Sequence, residues 1–234
     1  MSKTKRWIPG VGIAIVILAA GTFLTAALLF RQALLKAGTP VYDYKVVPSE
    51  HEGYSRQTLT IAGLTYESDY AEYGLSAAGN DFQVGQTSAE GRIYEIDPQG
   101  NYLVVYDFMS PIGVFRNSQI PPFDWRTTDF NEMRLYSTEI ATATPQEPKT
   151  STEAQLIQAA LAPMRGDSES ISPSQVSGEY KSFVLYLYSE QLTGMSYAIG
   201  VYVDETGAVY VAENTLSKEW FPADELFSEW AADS

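Results

Sequence analysis

Apolar and polar residues alternate with a period of two over much of the chain after residue 56, a pattern typical of β-strands. The clearest case is the pair GRIYEI and NYLVVYDFM, between Gly91 and Met109, joined by the turn sequence Asp-Pro-Gln-Gly. A second pair, MSYAIGVYVD and AVYVAEN, runs from Met195 to Asn214 around Glu-Thr-Gly. NYLVVYDFM is apolar on both faces, so we expect it in the middle of a sheet. The pattern predicts two β-hairpins.

Three further segments have the same strand-like character. They are QTLTIAGLTY from Gln57, MRLYSTEIATA from Met133 and EYKSFVLYLYSE from Glu179. The first is interrupted at Gly63, and the last is apolar on both faces. The chain therefore contains enough strand sequence for a β-rich, antiparallel structure.

The segment SPIGVFRNSQIPPFDW, residues 110–125, is predicted to be a long exposed loop, because its prolines cannot donate hydrogen bonds to a sheet. An apolar loop stiffened by proline loses little entropy on binding and suits a contact with another protein. The candidate partner contacts are Phe115, Pro121, Pro122, Phe123 and Trp125.

A helical period occurs in two places. AQLIQAALAPM follows Thr150 and Glu153, which match a capping box, and this predicts a helix over residues 151–163. ADELFSEWAA follows Pro222 and predicts a final helix with an apolar stripe. The fold class is therefore α+β, rich in antiparallel strands.

Residues 7–30 carry no charged side chain in 24 positions, and a helix needs roughly 20 apolar residues to cross a bilayer. Basic residues precede the run, which is too long for the apolar core of a cleaved signal peptide. We expect a single N-terminal transmembrane helix with a cytoplasmic amino terminus. Gly10, Gly12 and Gly21 give this helix small faces for packing against other membrane helices.

Composition suggests how the rest of the chain is divided. ATATPQEPKT, residues 141–150, is typical of a linker, so we expect two small extracytoplasmic lobes. The predicted segments are a tail at 1–6, the membrane helix at 7–30, a stalk at 37–56, a β-rich lobe at 57–140, the linker at 141–150 and an α+β lobe at 151–234.

The net charge of the chain is −14, and it is unevenly distributed. Residues 1–36 hold five of the 15 basic side chains and none of the 29 acidic ones, so residues 37–234 carry ten basic and 29 acidic groups. Such a surface repels nucleic acid, and we expect no nucleic-acid partner. The chain has no cysteine, which favours a bacterial envelope protein over a eukaryotic secreted one.

The sequence offers little catalytic chemistry. Its single histidine, His51, lies in the predicted stalk, and with no cysteine a zinc site is not expected. Glu67, Asp69 and Glu72 form the densest carboxylate group, interleaved with tyrosines, and are a weak candidate for binding a sugar or calcium. No catalytic residue, cofactor site or metal site is predicted.

Two functional hypotheses fit these observations. The first is a non-enzymatic accessory or assembly subunit of a membrane complex, for example a respiratory or photosynthetic one, bound to other membrane-protein subunits. The second is a membrane-anchored binder of cell-wall material or glycans, or a carboxylate-dependent hydrolase. All sixteen tyrosines lie beyond residue 36, and tyrosine suits both protein interfaces and sugar-binding surfaces. The glycan hypothesis predicts a tyrosine- or tryptophan-lined cleft with paired carboxylates.

Overall fold

A computed structural model describes residues 40–51, 54–77, 82–87, 91–96, 99–107, 110–138, 147–166, 168–176 and 178–232. Contacts divide the chain into two units, Met1–Val41 and Tyr42–Ser234. The sheets and helices given below belong to the second unit, apart from the first residue of the first strand.

The second unit consists mainly of antiparallel strands. In chain order these are β1 (Val41–Tyr42), β2 (Tyr44–Pro48), β3 (Ser55–Ile61), β4 (Leu64–Ser68), β5 (Leu75–Ala77), β6 (Phe82–Thr87), β7 (Arg92–Glu95), β8 (Tyr102–Asp107), β9 (Ser110–Asn117), β10 (Glu132–Ser137), β11 (Lys149–Ser151), β12 (Tyr180–Tyr188), β13 (Met195–Asp204), β14 (Val209–Ala212) and β15 (Phe221–Pro222). Short 3-10 helices lie at Tyr70–Glu72, Trp125–Thr127 and Pro173–Gln175.

The strands form two sheets. The first has the order β1-β6-β7-β8-β9-β4-β3-β2. The second has the order β11-β10-β12-β13-β14-β15, and β5 pairs with β13 beside this path. Both predicted hairpins are confirmed, as β7–β8 and β13–β14, and β8 lies inside its sheet as expected. The β-rich, antiparallel α+β class is confirmed with them.

Two α-helices accompany the second sheet, α1 (Ala154–Arg165) and α2 (Glu225–Ala232). Both helices were predicted, but the capping box predicted from Thr150 and Glu153 does not form. Helix α1 begins after Glu153, which makes no side-chain capping bond, and Thr150 lies in β11 opposite Arg134. Strand pairing with β10 holds residues 149–151 extended, so the helix starts later than the motif indicates.

The predicted loop over residues 110–125 is wrong in its first half, which forms β9. The pairing of β8 with β9 shifts register between Val105 and Tyr106. Val105 pairs with Gly113, whereas Tyr106 pairs with Pro111, and this shift accommodates the proline in the strand. A bulge of this kind removes the need for an amide donor at the proline.

The largest hydrophobic core lies between one face of the second sheet and the helices, where Ile157, Leu185, Ile199 and Phe227 are fully buried. The first sheet has a smaller core that includes Leu59, Ile93 and Phe115. Residues 182, 184 and 186 of β12 face away from the helices and are only partly buried. The opposite face of the second sheet is therefore partly accessible along β12.

The sheets do not follow the predicted division at residues 141–150. Strands β5 and β10 precede that segment in the chain, yet they pair with β13 and β12 in the second sheet. The predicted stalk also contributes structure, since Tyr44–Pro48 pairs with β3 over five residue pairs. Long-range pairing, rather than local composition, decides where these segments belong.

The predicted membrane helix at residues 7–30, with Gly10, Gly12 and Gly21, lies outside the described residues. Within the described ranges, neither helix is long and apolar enough to cross a membrane.

Candidate functional site

The predicted contact residues do not form one exposed surface. Phe115 is fully buried in the core of the first sheet, and Trp125 has only 3% of its surface exposed. Phe123 is half-buried and packs near the ring of Tyr197, with 5.5 Å between centroids. Only Pro121 and Pro122 are exposed. The exposed loop was wrong for Phe115 and Trp125 because β9 and the adjoining 3-10 helix carry these apolar side chains into the interior.

The predicted carboxylate group has a structural role. Arg116, 3% exposed, donates from Nη2 to Glu67 at 2.5 Å and from Nε to Glu72 at 2.7 Å. The carboxylate of Glu72 also accepts a hydrogen bond from the backbone amide of Asp69, and the carboxylate of Asp69 accepts one from the hydroxyl of Ser49. These partners occupy both oxygens of Glu72 and one oxygen each of Glu67 and Asp69. Among the described residues, no group of three or more potential ligands could hold a metal ion.

A cleft of about 460 Å³ lies beside this carboxylate group and has a largely aromatic wall. The ring of His51 stacks on Tyr70 at 4.5 Å, and Tyr54 meets Tyr70 edge to face at 4.8 Å. Tyr73 continues the wall, 5.2 Å from Tyr54. The remaining lining residues are Ser55 and the segment Leu216–Glu219. We name this site the tyrosine cleft.

Three connections between strands build the tyrosine cleft. The turn between β2 and β3 carries His51 and Tyr54, and is closed by the bond from the amide of Tyr54 to the carbonyl of His51, at 3.1 Å. The 3-10 helix after β4 places Tyr70, with Asp69 and Glu72 forming its capping box. The third connection, the loop between β14 and β15, is fixed by Asn214, whose side-chain oxygen accepts the amide of Leu216.

Glu213 links the cleft to the hydrophobic core. Its carboxylate accepts hydrogen bonds from the hydroxyl of Tyr70 and from Nε1 of Trp125, the latter at 2.6 Å. Arg126 lies 3.2 Å away and offsets the charge. The backbone carbonyl of Glu213 also accepts the hydroxyl of Tyr197 at 2.7 Å. Tyr70 is therefore held in place by a residue at the end of a core strand.

Raising the pH above about 10 is expected to destabilise the fold through these tyrosines. Burial raises the pKa of Tyr70 and of Tyr197 above the ordinary value of 10.0, and the hydrogen bond to Glu213 raises that of Tyr70 further. Above pH 10 the unfolded chain loses phenolic protons that the folded chain keeps, so stability present below that pH is lost as the pH rises. Thermal unfolding of the full chain from about pH 8 to pH 11 measures this, and Tyr70→Phe should flatten the decline. An unfolding temperature that is constant up to pH 11 would contradict it.

The chemistry of the tyrosine cleft suits a polar ligand with flat apolar faces. Tyrosine rings supply stacking area together with hydroxyl groups at their edges. Ser55, Ser217, Lys218 and Glu219 add donors and acceptors around the aromatic wall. Glu219 is the single carboxylate among the lining residues, whereas glycoside hydrolysis ordinarily requires two carboxyl groups.

Most of this site is not predicted by the sequence. His51 belongs to the predicted stalk, and Tyr54 and Leu216–Glu219 are not among the candidate residues. The available signal was the spacing of Tyr66, Tyr70 and Tyr73 among the carboxylates, but Tyr66 instead points into the first sheet and is 6% exposed.

Comparison of the chain with protein-family models, with curated proteins and with solved structures finds no significant match in any of the three.

Proposed function

We propose that this chain is a membrane-anchored envelope protein whose extracytoplasmic domain binds an uncharged saccharide in the tyrosine cleft without transforming it. The observation that carries the proposal is the continuous wall of His51, Tyr54, Tyr70 and Tyr73. The C–H faces of a pyranose ring are apolar and its rim is polar, which matches aromatic faces bordered by hydroxyl groups.

The spacing of the rings favours a sugar over an organic cation. Neighbouring ring centroids are only 4.5–5.2 Å apart, so the rings contact one another and leave no space between them for an ammonium group. They form a wall rather than a cage. The acidic surface of the chain, with a net charge of −14, disfavours an anionic saccharide.

The anchoring part of the proposal is supported by the sequence of residues 7–30 alone. Its uncharged run has the length of a spanning helix, and the basic residues on its amino-terminal side favour an extracytoplasmic domain. The subunit role in a membrane complex stays a prediction, for which Pro121 and Pro122 are the exposed members of the contact set.

Replacing Tyr54 with alanine is expected to weaken saccharide binding about tenfold, equivalent to about 1.4 kcal/mol. The variant removes the ring that contacts both Tyr70 and Tyr73. The measurement is calorimetric titration of the full chain with chitotriose and cellotriose, in a detergent without a sugar headgroup.

Two matched variants separate stacking from general damage. Tyr54→Phe keeps the ring and should bind within about threefold of the unaltered chain. Tyr94→Ala removes a half-buried tyrosine from the Tyr94–Tyr106 pair outside the cleft and should not change the affinity. Absence of saturable binding, or equal losses in Tyr54→Ala and Tyr94→Ala, would overturn the proposal.

A further inference from the structure

A second cleft, of about 560 Å³, lies next to the tyrosine cleft, on the face of the second sheet that points away from the helices. Its aromatic lining residues are Tyr180, Phe183, Tyr202 and Trp220, and Thr138, Ser182 and Thr215 add hydroxyl groups. Trp220 stacks on Tyr202 with 3.8 Å between centroids, and Tyr180 meets Trp220 edge to face at 5.0 Å. We name this site the tryptophan cleft.

Trp220 contains a buried donor without an acceptor. The residue is 2% exposed, and among the described residues its Nε1 has no hydrogen-bond partner. A buried N–H group that has left water without finding a partner destabilises the structure in which it lies. An oxygen of a bound ligand would satisfy it. Tyr180, at the same cleft, is 45% exposed and so available for contact.

The two clefts are adjacent. Ser217 lines both of them, and the loop between β14 and β15 supplies Leu216, Lys218 and Glu219 to one and Thr215 to the other. On its far side, the tryptophan cleft shares Val184 with a third cavity that is lined by Tyr136, Tyr186 and Tyr188. Aromatic rings therefore line three neighbouring cavities, from the tyrosine cleft to the far end of β12.

We infer that the ligand is an extended, uncharged oligosaccharide that runs from the tyrosine cleft past the loop between β14 and β15 into the tryptophan cleft. This inference rests on the proposed function and adds the size of the ligand. A ligand of one or two sugars occupies the tyrosine cleft alone, whereas a longer chain of sugars stacks on successive rings and places an acceptor oxygen at Nε1 of Trp220. Contiguous subsites joined by one ligand raise affinity through effective concentration.

The test is calorimetric titration of the full chain with chitin oligosaccharides of one to six units, and with cellulose oligosaccharides that lack the acetamido group. Affinity is expected to rise about tenfold or more between two and six units. Tyr180→Ala should remove this rise and leave binding of the two-unit ligand unchanged. Tyr54→Ala should weaken all lengths, and Tyr94→Ala none.

Trp220→Phe gives an independent measurement. It keeps an aromatic ring beside Tyr202 and deletes the unpartnered N–H, although the phenyl ring is smaller than the indole that it replaces. Affinity for the six-unit ligand should fall about fivefold, as for the loss of one hydrogen bond.

The possible outcomes separate the two claims. If no oligosaccharide binds, the proposed function and this inference both fail. If two-unit and six-unit ligands bind equally well and Tyr54→Ala still weakens them, the proposed function stands and the extended ligand is excluded. An equal effect of Tyr180→Ala at every length also excludes it, because the two clefts would then form one small site.

Discussion

Replacing Arg116 with methionine is expected to lower the free energy of unfolding by about 3–5 kcal/mol. Arg116 lies on β9 and is the ion-pair partner of Glu67 and Glu72. Glu72 is 1% exposed, so removing the guanidinium leaves a buried carboxylate without its compensating charge. Denaturant unfolding of the full chain measures the loss as a shift in midpoint at constant slope.

Two comparisons isolate the cause of this loss. Arg134→Met breaks a pair with Glu132 whose side chains are 40% and 29% exposed, and it should shift the unfolding midpoint much less than Arg116→Met does. Adding Glu72→Gln to Arg116→Met should recover part of the stability, because the stranded charge is then removed. Equal losses for Arg116→Met and Arg134→Met would show that burial of the ion pair does not matter.

Replacing Phe115 with alanine is also expected to cost about 3–5 kcal/mol, as a large-to-small change in a packed core. Phe115 is fully buried and packs with Leu59, Ile93 and Leu103. For a domain of this size each kcal/mol lowers the unfolding temperature by about 2–4 °C, so differential scanning calorimetry of the full chain should detect the change readily.

Pro121→Ala is the matched control, because Pro121 belongs to the same predicted contact segment but is exposed. It should change stability by about 0.5 kcal/mol or less. A result in which Phe115→Ala is as stable as Pro121→Ala would contradict the burial of Phe115 and restore the contact loop predicted from the sequence.

The features that were predictable from the sequence are those fixed by local pattern. Asp204 accepts the amides of Thr206 and Ala208, and Gly207 adopts a positive φ of 84°, so a few neighbouring residues specify the turn between β13 and β14. The alternation of β8 likewise predicts its central position. Both features require no knowledge of distant partners.

The errors occurred where distant partners decide the structure. Pro111 favoured the prediction of a loop, but the register shift against β8 accommodates this residue in a strand. Arg116 and Glu72 are 44 positions apart, and no local pattern indicates that they form a buried pair. The carboxylates therefore looked like a ligand group when their partner lay elsewhere in the chain.

The tyrosine cleft also changes the balance between the two functional hypotheses. Protein binding was the first choice from sequence, and it depended on the predicted membrane helix and on an apolar loop that the structure largely buries. The glycan hypothesis required an aromatic cleft with paired carboxylates, and the described residues contain an aromatic cleft with one carboxylate, Glu219, in its lining. The saccharide-binding proposal now accounts for more of the observed geometry.

The sequence separation of the contacts around Glu213 has a consequence for the order of folding. Tyr70 and Trp125 bond to Glu213 across 143 and 88 positions of the chain, respectively. Contacts of such separation form only after long loops have closed, whereas the β13–β14 hairpin needs only its own residues. We expect the tyrosine cleft to be among the last parts to assemble and to be lost from any fragment that ends before β14. Ligand binding is therefore a sensitive measure of whether the whole domain has folded.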